Sequence, residues 1–375
     1  MTLRGNDVAT LRRINSRAVL RELHFDDGGA RSVTELAKRV GLSRPTVEAA
    51  LADLAAEGWV EEISAVASPH KAGRPARRYR FAARAGVVVG IDLGPHTIAV
   101  IVADLRGEPL HIERRSGLDL SSGDAAWSAI HELTLAAIRA ARVTPAGIRA
   151  ITAGVPAIVD ADGDIALTTV VPDWLASRLP ERLRHAFPTV RVFFDNDAKL
   201  ATLAETEWGC AADVENAVFL LAGHRLTAGL IVNGKVIRGR HGGAGEIGAN
   251  AVVGWEHAVG RFRERIGDSN VESVLDAAAR EDPASVAAVT AFADDIATGL
   301  GMLILAIDPQ IVVVGGGFAR AGVPLLEALE AAVRPQCLFM PAFALSSVGV
   351  DAVARGGVAH SLTYVRVSQM ELTVA

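Results

Sequence analysis

Cysteine is almost missing from this 375-residue chain, where Cys210 and Cys337 lie far apart without C-x-x-C spacing. A disulfide framework and a cysteine-built zinc site are thereby excluded within one chain. Long apolar runs are missing too. The most apolar stretches, Gly299 to Ile307 and Ile311 to Ala319, are each about half the roughly 20 residues that a spanning helix needs, and Asp308-Pro309-Gln310 separates them. No membrane span is expected. Met1 to Arg13 carries three arginines with no apolar segment behind them, so a signal peptide is not expected and the expected compartment is the cytoplasm. What the chain does have is apolar material: half its residues are hydrophobic and its mean hydropathy is +0.29, which rules out global disorder. Its length predicts two or three domains of roughly 100 to 200 residues each.

The formal net charge of -5 hides an asymmetry. The first 80 residues hold 14 basic and 10 acidic residues, hence +4, and the remainder holds 24 against 33, hence -9. Such a split hints at a nucleic-acid-binding part joined to something else. Local pattern sharpens the hint. Ser32-Val33-Thr34-Glu35 is a capping box opening a short helix with apolar Leu36, Ala37 and Val40, which Gly41 ends before a turn that buries Leu42. Ser43 caps the next helix, Pro45 sits in its first turn, and Val47, Leu51 and Leu54 recur at i, i+4, i+7. Ser43, Arg44, Thr46 and Glu48 then lie on or near the outward first turn, where a helix-turn-helix places the residues that reach base edges. Val60 to Val66 reads as a strand that returns through Arg77 to Phe81. The tip between them is basic, and Lys71, Arg74 and Arg77 are the expected phosphate or minor-groove contacts of a wing. Residues 1–82 are thus expected to form a winged helix-turn-helix that binds double-stranded DNA.

From Ala82 the texture changes. Val87 to Leu93, Thr97 to Asp104 and Glu108 to Arg114 are three successive strand candidates, and Ala217 to Ala222, Thr227 to Val232 and Lys235 to Arg238 repeat the layout around an Asn233-Gly234 turn. Between and after them come helices from Gly123, after Trp174, from Asp197 and over Ser285 to Ala306, with strands at Ile148 to Gly154, Val190 to Phe194 and Ile311 to Gly315. Two copies of a meander followed by alternating helices and strands predict a two-lobed α/β body with a cleft.

Five motifs occur in order: Gly90-Ile91-Asp92-Leu93-Gly94, Gly154 to Asp160, Asn196-Asp197-Ala198-Lys199, Gly242 to Gly248, and Asp308-Pro309 followed by Val313 to Gly317. With them the chain resembles the ROK family, which joins repressors and sugar kinases on a two-lobed actin-like ATPase, ribonuclease H-like fold. The resemblance covers essentially the whole chain, because many of the family's repressors carry an N-terminal winged helix and a G-R-P-A segment like Gly73 to Ala76. It implies one lobe over 83–203, with a C-terminal helix in 350–375 packing back on it. A second lobe over 204–349 would dimerise and sense. It also implies that Asp197 matches the family's general base, vestigial here, and that Asn196 and Glu246 match residues that hydrogen-bond sugar hydroxyls. A helix N-terminal acid and a solvated loop carboxylate remain the alternatives for Asp197 and Glu246.

The departures from the family pattern carry as much. Where its kinases read D-x-G-G-T-K, this chain has Asp92-Leu93-Gly94-Pro95-His96-Thr97, and where they read G-T-G-x-G it has Gly223-His224-Arg225-Leu226-Thr227. Proline deletes a backbone donor and the larger side chains obstruct a phosphate cradle, so ATP is not expected to bind productively and phosphoryl transfer is not expected. His96, His224 and Arg225 could instead receive an anion, such as a phosphorylated sugar. Ala249 stands where the family has His after E-I-G, and Lys199 replaces the last Asn of N-D-A-N. The family's cysteine-rich zinc loop has no counterpart, since Asn250 to Val271 contains no cysteine; no metal or other cofactor is expected, and His241 and His257 lack further positioned ligands. The expected protein is a regulator, in the main a repressor, of carbohydrate-related genes. It would act as a homodimer or dimer of dimers on a palindromic operator and answer a sugar or phosphosugar. The alternatives are a DNA-binding protein whose core only dimerises, and an active sugar kinase.

Overall fold

The computed structural model describes residues 7–26, 29–63, 77–368 and 370. The N-terminal head comprises α1 (Asp7–His24), β1 (Arg31–Ser32), α2 (Val33–Val40), α3 (Arg44–Ala56), β2 (Val60–Ile63) and β3 (Arg78–Phe81), the strands pairing in the order β1-β3-β2. Local chemistry sets these boundaries. Ser32 Oγ accepts the Glu35 N–H at 3.3 Å while the Ser32 N–H donates to Glu35 Oε2 at 2.6 Å, closing the capping box. Gly41 ends α2 in the left-handed region, at φ 69°. Ser43 then caps α3, with Pro45 in its first turn.

Lobe 1 contains β4 (Val87–Leu93), β5 (Thr97–Asp104), β6 (Pro109–Ser116), α4 (Gly123–Ala140), β7 (Ile148–Val155), the small hairpin β8 (Ile158–Val159) and β9 (Ile165–Leu167), α5 (Asp173–Ser177), α6 (Leu179–Ala186), β10 (Arg191–Asn196) and α7 (Asp197–Trp208). Lobe 2 contains β11 (Ala217–Ala222), β12 (Leu226–Val232), β13 (Lys235–Val236), α8 (Trp255–Ile266), α9 (Val271–Ala279), α10 (Pro283–Ile307), β14 (Ile311–Gly315), α11 (Val323–Val333) and β15 (Ala342–Leu345). The duplication is visible in the strand orders. One sheet runs β6-β5-β4-β7-β10 and the other β13-β12-β11-β14-β15. In each, the first three strands are antiparallel and the last two join in parallel. The β12 to β13 turn is Asn233-Gly234 with φ 52° and 70°, the two left-handed residues that a tight hairpin needs.

The last helix, α12 (Ala352–Ser368), leaves lobe 2 and lies on the lobe 1 sheet against β4 and β7, alongside α7. The approach is close: a Cβ on Gly90 would fall 1.9 Å from the Ala354 carbonyl, and one on Gly356 would fall 1.8 Å from the Leu200 carbonyl. Helix α10 is long and apolar enough by composition to cross a membrane, yet Phe292, Ile296 and Leu300 are fully buried in the core of lobe 2.

Several boundaries differ from those expected. The predicted lobe boundary at 203/204 falls inside α7, which continues to Trp208. The helix expected after Trp174 is two pieces broken at Arg178, whose φ is 51°, and Trp174 lies inside the first. β13 stops at Val236 because Arg238 turns away to an ion pair with Asp195. The head is also less separate than a boundary at 82 implies. Val19, Leu20, Leu23, Trp59 and Phe81 share one apolar cluster with Val88, Ala99 and Ile101 of lobe 1 and Val358, Leu362 and Val365 of α12.

Candidate functional site

The cleft is built where β10 runs into α7. Asn196 ends the strand and caps the helix, its Oδ1 accepting the Lys199 N–H at 3.1 Å. Its amide is thereby oriented so that Nδ2 donates to Glu246 Oε1 at 3.2 Å and to the Ala157 carbonyl at 3.1 Å. Glu246 arrives on a glycine-rich loop from lobe 2 that only glycine permits. Gly245 has φ 87° and an added Cβ would fall 1.8 Å from the Ala228 carbonyl; Gly242 has φ 76° and its Cβ would fall 2.1 Å from the Val159 carbonyl of lobe 1. Two further contacts join the lobes: Arg238 with Asp195, at 2.7 Å, and Arg225 Nη1 with Thr169 Oγ1.

Asp197 begins α7, and its Oδ1 accepts the Ala198 N–H at 2.7 Å, as expected of a helix N-terminal acid. Burial, with the negative charges of Asp92 and Glu246 nearby, nevertheless pushes its carboxyl up to about 7. Asp92, on β4, is pushed up to about 6, again mainly by burial, with Asp351 adding and Arg114 opposing. Glu246 is raised by burial as well. In the sequence Asp92 belongs to a glycine-rich motif; the parallel pairing of β4, β7 and β10 sets it level with Gly154 and Asp195, near enough to Asp197 to act on its charge. Lys199 is 1% exposed, and its Nζ has no hydrogen-bond partner among the described residues. Three carboxyl groups whose values burial raises, an oriented amide and a buried ammonium supply donors and acceptors suited to a compound with several hydroxyl groups.

At the cleft mouth the two altered hairpins face each other. His96, between β4 and β5, and His224, between β11 and β12, meet edge to face with ring centroids 5.7 Å apart. His96 Nδ1 lies 3.1 Å from the Leu118 carbonyl oxygen, and Arg225 is held by Thr169. The segment from Asn250 to Val271, where the family resemblance implies a zinc loop, contains no cysteine. It forms a turn over Ala251–Val253 and then α8, whose Trp255 and Phe262 are core residues, Trp255 Nε1 donating to the Ile296 carbonyl at 3.0 Å.

On the head, α3 buries Val47, Ala50, Leu51 and Leu54 and leaves Ser43, Arg44 and Glu48 exposed. Ser43 is committed to the cap, and Thr46, half-buried, shares a 2.7 Å hydroxyl contact with it. Much of the head's basic charge is engaged internally: Arg12 pairs with Asp53, Arg39 with Glu22, Arg78 with Glu35 and Arg80 with Glu61. Arg77 lies 3.4 Å from Glu62. Arg44 has no ion-pair partner among the described residues, so it is the first-turn cation open to a ligand. Lys71 and Arg74 lie outside the described residues.

Residues 88–268 and 254–346 match the ROK family, and residues 15–69 match the MarR family. The chain is 29% identical over 242 residues to the xylose repressor of Caldicellulosiruptor bescii, a match covering 64% of this chain and 59% of that protein. It is 25% identical over 369 residues to the Escherichia coli K12 DNA-binding transcriptional dual regulator NagC, covering 89% of this chain and 87% of that one. Its fold is similar to the crystal structure of a ROK family transcriptional regulator, a homolog of the E. coli MLC protein, with a TM-score of 0.69, 20% identity, and coverage of 94% and 96%. A MarR-type winged head on a duplicated two-lobed body, with the ROK match spanning most of that body, places the chain in the ROK family.

Proposed function

We propose that this protein is a DNA-binding transcriptional repressor of carbohydrate-related genes whose ROK body senses a sugar or phosphosugar and transfers no phosphate. One combination carries the reading. The residues matching the sugar side, Asn196, Asp197 and Glu246, converge across the lobes, while the hairpin tips that would cradle a triphosphate carry Pro95, His96, His224 and Arg225. The names of relatives, a xylose repressor and the DNA-binding transcriptional dual regulator NagC, support it. In a homodimer two α3 helices would enter successive major grooves of a palindromic operator, with Arg44 and Glu48 at base edges, Ser43 and Thr46 beside them, and Lys71, Arg74 and Arg77 on phosphates or in the minor groove. An effector that binds the closed cleft better than the open one shifts the lobes and so the spacing of the heads. His96, His224 and Arg225 are the proposed contacts for an anionic group on that effector.

The test is a mobility shift on the chain's own upstream DNA with a panel of sugars and phosphosugars. Arg44→Ala with Arg74→Ala abolishes the shift, and Asp197→Ala keeps DNA binding but removes the response. An unchanged response in Asp197→Ala sinks the assignment of the sensor site. The kinase alternative keeps one supporting observation, since a carboxyl held near neutrality suits a general base. ATP-dependent phosphorylation of any hexose would establish it.

A further inference from the structure

The head is seated on lobe 1 by a polar clasp as well as by the shared apolar core. Arg106, at the β5 to β6 turn, donates to the last two carbonyls of α1, Nη2 to Leu23 at 3.0 Å and Nη1 to His24 at 3.0 Å, and to the Asp26 carbonyl just beyond the helix at 2.7 Å. Those carbonyls have no partner within the helix, so a guanidinium from another domain completes the end of α1. Arg366 of α12, 9% exposed, pairs with Glu207 at 2.8 Å and lies 6.0 Å from the ring centroid of Phe25, just beyond α1.

Both arms of the clasp touch one helix. Glu207 and Trp208 are the last two residues of α7. Trp208 presses on the turn that carries Arg106, where a Cβ on Gly107 would fall 2.7 Å from its ring. The other end of α7 is Asn196 and Asp197. Twelve residues at about 1.5 Å each make a rod of about 18 Å between the cleft and the clasp. The rod is stiffly supported. Gly356 of α12 meets the Leu200 backbone, and Glu205, fully buried, accepts from Cys210 N at 2.9 Å and from the Ser346 hydroxyl.

We propose that α7 couples the cleft to the DNA-binding head, with Glu207 to Arg366 and Trp208 to Gly107-Arg106 as its output contacts and Asn196 and Asp197 as its input. The coupling rests on the sensor reading of the cleft and adds its route. Displacement at the helix start is delivered as a rigid shift at its end, and the clasp on α1 tightens or slackens with it. Because the head also shares its core with lobe 1, this clasp sets how firmly the head is held in one orientation.

Hydrogen exchange on the full chain tests the coupling without a known effector. The last-turn amides of α1 are followed in wild type, Glu207→Gln, Arg106→Met, Asn196→Ala and Asn196→Ala with Glu207→Gln, with α10 amides as the internal reference. Each single change is expected to speed α1 exchange by about threefold or more with α10 unaltered, and the double change is expected to do no more than the larger single. Wild-type exchange in Glu207→Gln and Arg106→Met overturns the clasp. Independent, multiplying effects of Asn196→Ala and Glu207→Gln overturn the coupling, as does acceleration of α10 alongside α1. Thermal-shift silence toward D-xylose, D-glucose and their phosphates would instead count against the sensor reading and leave the exchange result standing.

Discussion

His96 and His224 close the mouth of the cleft from opposite lobes, their rings 5.7 Å apart and inclined at 72°. A triphosphate bound as in a kinase needs backbone N–H groups presented by glycine at both places. The native protein will therefore show no thermal stabilisation by magnesium ATP. A variant with Pro95→Gly, His96→Thr, His224→Thr and Arg225→Gly will show some. Clear stabilisation of the native protein would mean that the nucleotide fits beside both rings.

The exposed first turn of α3 makes Arg44 the most informative single change on the head. Arg44→Ala is expected to weaken binding to upstream DNA by about 1 to 3 kcal/mol, roughly 5- to 150-fold at fixed salt. Arg39→Ala, which breaks an internal pair with Glu22, should change it by less than about threefold. Equal effects of the two would indicate general electrostatic attraction with no directed contact from α3.

What was legible in the sequence was local. Ser32 with Glu35, Ser43 with Thr46 and Asn233-Gly234 each satisfy or steer backbone groups within four residues, so their patterns identify them before any tertiary structure exists. The duplicated meander was legible because buried strands keep their apolar runs. Arg238 to Asp195 was not, since 43 residues and a lobe boundary separate them and the run from Lys235 reads as continuous strand. Nor was Arg106, an arginine in a turn with no local sign that it would finish a helix 82 residues earlier. The charge count could not show that, among the described residues, carboxylates pair with Arg12, Arg31, Arg39, Arg77, Arg78 and Arg80 of the head.

Stability should track the protonation of Asp197. Its folded-state value of about 7 lies above the ordinary 3.8, so the folded chain holds a proton that the unfolded chain has released. The associated stability is present in acid and is lost as pH rises from about 4 through about 7. Asp197→Asn removes this dependence. Its melting midpoint should exceed the native one by a margin that grows over that range, reaching roughly 5 °C, and then levels off. A margin that shrinks with rising pH would refute the assignment.

His24 supplies the opposite sign. Burial, assisted by Arg366 and Arg106, lowers its imidazole to about 4, and its ring stands edge-on to Phe25 and Phe81. Seating of the head should weaken as pH falls from about 6.5 toward 4, because the undocked ring takes up a proton that the docked ring refuses. Hydrogen exchange of the last turn of α1 in wild type and His24→Gln would check this, the acid-induced acceleration being expected in wild type alone. Equal acceleration in both would place the sensitivity elsewhere.

The seat beneath the head joins segments far apart in the chain's order of synthesis. The head is made before Arg106, and α12 with Arg366, Val358, Leu362 and Val365 comes more than 270 residues after Phe81. A nascent chain, or one cut short before α12, can fold the helix-turn-helix locally yet has only the Arg106 contacts and the β4 and β5 side chains to hold it against lobe 1. The complete seat of the head is thereby reserved for polypeptides that have reached α12.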